Sequence, residues 1–118
     1  MRVISQNGTI DVPYDYFSLS MSSGKYKDVE VAYIYCYNLS SPNGTKLAEY
    51  STEAKAIKAM EMLREQYARI EIIKALVSGT CKHMEESLEP EEFKNILKKY
   101  INMEVFRFPQ DDEIEVVE

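Results

Sequence analysis

A single histidine, two cysteines and four glycines leave this 118-residue chain short of the residues from which most catalytic and metal sites are built. The lone His83 stands near Cys81 and Glu85, but zinc takes four well-placed ligands and nothing else of that kind is close in sequence, so no metal or other cofactor is expected. A histidine-based nucleophile would need Cys36 or Cys81 as its partner. Cys36 alternates into an apolar strand pattern, the setting of an inert buried thiol. The glycines are scattered among turn sequences, so no phosphate-binding loop is written here. Glu85, Glu86, Glu89, Glu91 and Glu92 gather around a predicted helix start, where carboxylates favour the helix dipole, and read as a solvated helix end rather than paired catalytic acids. These absences together speak against an enzyme.

Further absences bound the class of protein. The two cysteines share no CxxC or histidine-rich spacing, and a secreted domain of this length usually carries more of them. The chain shows neither a basic stretch followed by an apolar one nor a run near the ~18 apolar residues of a membrane span, so a cytoplasmic protein without a membrane segment is expected. No Lys/Arg stripe is present to neutralise phosphates, which argues against a duplex nucleic-acid partner. The net charge is -6, yet five acidic residues and no basic one fall between Gln110 and Glu118, so the rest of the chain is near -1. Three glycosylation-like triplets, Asn7-Gly8-Thr9, Asn38-Leu39-Ser40 and Asn43-Gly44-Thr45, are read as turn chemistry.

What is present is an ordinary globular composition, 45% apolar and 29% charged, in a chain long enough for one domain and one core. The first fifty residues read as short strands. Arg2 to Ser5 and Thr9 to Val12 flank a turn at Gln6-Asn7-Gly8, and Phe17, Leu19 and Met21 alternate with Ser18, Ser20 and Ser22. A turn is expected at Ser23-Gly24-Lys25 and a loop from Ser40 to Gly44. Between them Val29 to Tyr37 is the strongest strand pattern, apolar on both faces and therefore central, and Lys46 to Tyr50 follows as another. Short connections make this an antiparallel meander.

At Ser51 the period changes. Ser51 or Thr52 serves as N-cap, and Ile57, Met60, Leu63, Tyr67, Ile70, Ile73 and Val77 recur at helical spacing as far as Ser78, with Gly79 as the expected stop. Such a helix spans about 40 Å, more than the roughly 30 Å body it would cover, so it either breaks or projects. Pro90 opens a last helix striped by Phe93, Ile96, Leu97, Tyr100 and Ile101, and Met103 to Phe108 reads as a final strand. The expected fold is α+β: an antiparallel sheet of five to six strands packed by a long helix, with a helical extension at 68–102 before the last strand. Residues 1–109 form the domain and 110–118 an acidic flexible tail.

Three separated blocks, MRVISQNGTIDVPYDYF, LAEYSTEAKAIKAMEMLREQY and FRFPQDDEIE, resemble a group of short uncharacterised proteins from phages, prophages and mobile elements of Gram-positive bacteria. The resemblance covers about Met1 to Tyr67 and Val105 to Glu113. Related chains tend to carry Glu where this one has Ala54, so the reciprocal capping box is missing here, and they reach the last strand through a shorter segment. The group brings no established activity. It implies a setting, that of an accessory protein of a mobile element.

Tyrosine is the unusual count, at nine. Tyr33, Tyr35 and Tyr37 share one strand face, and Phe106 and Phe108 share a face of the last strand. These rings either form the core beneath the long helix or make a stacking platform for a nucleotide, with Arg64 or Arg107 as phosphate contact. The candidate binding face is thus Tyr33, Tyr35, Tyr37, Arg64, Phe106 and Arg107. Ile70, Ile72, Ile73, Leu76 and Val77 occupy more than one stripe of the extension, and the stripe left over is the expected interface of a homodimer. The function expected from all this is non-enzymatic: direct binding to a host protein as an anti-defence or regulatory inhibitor. The alternatives are a nucleotide-signal sponge or an assembly accessory with no ligand.

Overall fold

Strand β1 (Arg2–Ile4) turns through Gln6-Asn7-Gly8 into β2 (Asp11–Pro13), and the computed structural model describes residues 1–38, 41–87 and 89–116, with side chains except at 41, 42, 76–87, 93, 96 and 97. Gly8 takes φ +77°, and the Asn7 side-chain oxygen accepts from the Thr9 N–H at 3.1 Å and from the buried Ser5 hydroxyl at 2.7 Å. A 3₁₀ turn (Tyr14–Tyr16) then leads to the meander β3 (Ser18–Tyr26), β4 (Val29–Asn38) and β5 (Ser41–Tyr50). Helices α1 (Glu53–Ser87) and α2 (Pro90–Met103) follow, then β6 (Val105–Arg107) and a 3₁₀ turn at Asp111–Glu113.

The fold is α+β, but the strands divide into two three-stranded sheets, ordered β2-β1-β6 and β3-β4-β5, where one sheet of five to six strands is expected. In the first, β1 pairs antiparallel with β2 and parallel with β6; the meander is antiparallel throughout. A parallel pair needs a crossover, and here everything from β2 to α2 serves as one. Both sheets feed a single core: Val3, Val12, Phe106 and Phe108 from one, Ala32, Ile34, Cys36, Leu47, Ala48 and Tyr50 from the other, with Ala56, Ala59 and Leu63 of α1.

The β3–β4 turn lies three to four residues beyond the expected glycine. Lys27 and Asp28 take φ of +50° and +66°, the paired left-handed geometry of a two-residue hairpin, while Gly24 sits inside β3. Similarly, Ser41 to Gly44 belongs to β5 rather than to a loop. Gly44 is needed there: its φ is +83°, and a Cβ would fall 2.5 Å from the Tyr37 ring. The expectations on Leu39 and Ser40 lie outside the described residues.

Helix α1 is continuous through Gly79 and is 35 residues long. At 1.5 Å per residue that is about 52 Å, which accounts for the 62 Å long dimension of the molecule. A lone mid-helix glycine costs about 1 kcal/mol, too little by itself to end a helix that α2 packs against. Thr52 is the N-cap, its hydroxyl accepting from the Lys55 N–H at 3.2 Å, and the Glu30 carboxylate reaches over from β4 to accept from the Glu53 N–H at 2.9 Å. The buried stripe of α1 is Ala56, Ala59, Leu63 and Ile70, whereas Ile57 is exposed.

Residues 110–114, expected to begin a flexible tail, are instead packed on the body. Ile114 is buried, and the Asp111 carboxylate accepts from the Ser51 N–H at 2.7 Å and lies 3.1 Å from Lys55 Nζ. The acidic composition hides this because the ion pair and the single buried isoleucine are both non-local.

Candidate functional site

Ala32, Ile34 and Cys36 of β4 point into the core, so the alternating Tyr33, Tyr35 and Tyr37 point away from it, partly exposed. The rings therefore do not form the core beneath the helix. Beneath α1 the inner face of β4 is filled instead by compact groups: Ala56 and Ala59 of the helix are buried in one cluster with Ala32, Ile34 and Ala48 of the meander. Burial holds the Cys36 thiol above its ordinary pKa, hence protonated and a poor nucleophile.

On the outer face the tyrosines form a ladder, with ring centroids 6.0 Å apart for Tyr33–Tyr35 and 6.3 Å for Tyr35–Tyr37, each pair tilted. The hairpin register sets Ser22, Ser20 and Ser18 beside Tyr33, Tyr35 and Tyr37 along β3. On the other side Glu49 lies beside Tyr33 and Lys46 beside Tyr35. Lys46 Nζ stands 5.5 Å from the Tyr33 ring centre and 3.9 Å from Glu49. A β-bulge at Leu47 makes this possible: between the Ile34–Ala48 and Tyr35–Lys46 pairs Leu47 is the extra residue, tucked inward, which turns Lys46 to the tyrosine side.

The other residues of the expected binding face lie elsewhere. Phe106 is buried and meets Phe108 edge-on at 5.3 Å, inside the core. Arg107 is exposed on the first sheet, where its guanidinium approaches Gly8. Arg64 is exposed on α1, which packs against the opposite face of the meander from the tyrosines. Neither arginine joins the ladder; Lys46 is the cation beside it. The sequence signal for Lys46 and Glu49 was their strand, but their face depends on the bulge.

Of the expected dimer stripe, Ile70 is buried within the chain, Ile73 is partly buried and Ile72 is 61% exposed, while the side chains of Leu76 and Val77 lie outside those described. The same holds for Cys81 and His83, and for Phe93, Ile96 and Leu97 of the last helix. Among the described residues no three His, Cys, Asp or Glu side chains converge as a metal site, and no helix is long and apolar enough to cross a membrane.

Gln6 joins the two sheets. The Gln6 N–H donates to Leu47 O at 2.8 Å, its side-chain amide donates to Glu49 O at 3.0 Å and accepts from the Glu49 N–H at 3.0 Å, and the same amide nitrogen reaches Pro109 O at 3.2 Å. Tyr50 adds a buried hydroxyl donating to Pro109 O at 2.8 Å, its pKa raised by burial and by the carboxylates of Asp111 and Glu113. The platform is thus mounted on a braced sheet. No family model, no curated protein and no solved structure matches the chain.

Proposed function

We propose that this chain is a non-enzymatic binding protein that docks a protein partner on the outer face of its meander. The tyrosine ladder carries the proposal. Three rigid, amphipathic rings in a column, edged by Ser18, Ser20 and Ser22, combine large contact area with adaptable hydrogen bonding, the pairing that antibody loops use to hold proteins. Each phenol has a polar tip, so the face stays wettable when free. Lys46 and Glu49 at its border supply charges of both signs for orienting a partner.

The resemblance to proteins of phages and mobile elements gives this binding its setting: a cytoplasmic host protein as partner, inhibited or regulated by direct contact. A nucleotide ligand is the weaker reading, because the two arginines assigned to its phosphates stand on other surfaces and, among the described residues, Lys46 is the one cation seen over these rings. The test compares the intact chain with Tyr35→Ala as immobilised bait in host lysate, with circular dichroism verifying the variant's fold. One protein is expected to be retained by the intact chain and lost with Tyr35→Ala. Equal retention by both, or a thermal shift with nucleotides that Tyr35→Ala abolishes and no retained protein, would defeat the proposal.

A further inference from the structure

A sheet edge exposes main-chain donors and acceptors that invite another strand, and folded proteins shield such edges. Three of the four edges here are shielded over at least part of their length. Beside β5, Gln6 occupies both the N–H and the carbonyl of Glu49 and the carbonyl of Leu47. Beside β6, the Gln66 side chain of α1 donates to Met103 O at 2.7 Å and to Val105 O at 2.9 Å. Strand β2 is three residues long and ends on Pro13, which has no N–H to offer.

Strand β3 is the exception. It is nine residues long, contains no proline, carries no charge before Lys25, and among the described residues nothing hydrogen-bonds to its outer edge. We infer that this edge pairs with the same edge of a second copy, joining the two meanders into one six-stranded antiparallel sheet. The self-pairing is chemically consistent. A two-fold axis through Ser22 uses all nine residues and sets even-numbered positions opposite even ones, so the tyrosine faces of both copies stay on the same side. No like charges oppose each other: Lys25 meets Leu19 of the second copy, over which its aliphatic stem can lie, and Ser20 meets Gly24. Tyr26, 71% exposed at the hairpin tip, comes opposite Ser18 of the second copy and gains a neighbour it lacks in the single chain.

The pairing is independent of whether the tyrosine face binds a partner, and its test leaves those rings intact. Ser22 is exposed and sits at the axis, so Ser22→Lys and Ser22→Glu each oppose two like charges. Sedimentation equilibrium is expected to show a concentration-dependent dimer for the intact chain, weakened about fivefold or more by either substitution. An equimolar mixture of the two variants is expected to regain the dimer, a result that misfolding cannot mimic. A monomer at all concentrations up to the hundred-micromolar range would overturn the inference. So would a dimer indifferent to both charges, or one lost instead with Ile72→Glu, which would place the contact on α1. A monomeric chain that binds only an extended peptide along β3 would also overturn it.

Discussion

The two faces of β4 are made by alternate residues of one strand, yet they answer to different demands. Inward lie Ala32, Ile34 and Cys36, small or compact and almost fully buried; outward lie three tyrosines, larger and left partly exposed. Ranking by size or aromatic content would reverse the assignment. On this face α1 presents Ala56 and Ala59, and compact groups from both elements pack the inner side of β4, while Tyr50 of the neighbouring strand is the phenol that the core takes in. Hydrophobic burial here follows fit rather than side-chain hydrophobicity alone.

The sharpest way to break this contrast is on the inner face. Ile34 is 0% exposed, and Ile34→Ala is expected to lower the unfolding free energy by about 3 kcal/mol, measured by urea denaturation. On the outer face Tyr35→Ala is expected to cost less than about 1 kcal/mol in the same measurement, since only cross-strand packing is lost. Comparable losses for the two would mean that both faces are core.

The smallest expected effect tests whether the bracing behind the platform matters. The Ser51 N–H, with Lys55, holds the Asp111 carboxyl below its ordinary pKa of 3.8. A carboxyl depressed on folding stabilises the fold above its unfolded pKa and loses that contribution as pH falls through the folded value. Asp111→Asn is therefore expected to lower Tm slightly at neutral pH, with the difference from the intact chain shrinking below pH 3.8. A Tm gap unchanged down to strongly acid pH would show that the carboxylate charge plays no part.

Local pattern made the meander, the central place of β4 and the long helix legible in the sequence, because alternation and helical spacing are properties of neighbouring residues. The tyrosine trio was legible as a shared face, but not which way it points, since β4 is apolar on both sides. The alanine stripe of α1, buried in the core with the inner face of β4, is too small to stand out among Ile57, Met60 and Leu63. Arg64, Phe106 and Arg107 were grouped with the tyrosines because residue type, unlike position in space, can be read from sequence. The division into two sheets depends on β1 pairing with β6, and nothing local to Arg2–Ile4 announces a partner so far along the chain.

That pairing also orders events in time. At the usual pace of synthesis β1 waits on the order of 5–20 s for its parallel partner, roughly a hundred residues later. Until then it has only β2, and two three-residue strands do not hold together alone in water. The meander and the first turns of α1 can settle during that interval, with Gln6 still free of Pro109 and the side of the core owed to Phe106 and Phe108 standing empty. Strand β1, synthesised before every other element of this fold, is thus among the last pieces to find its place.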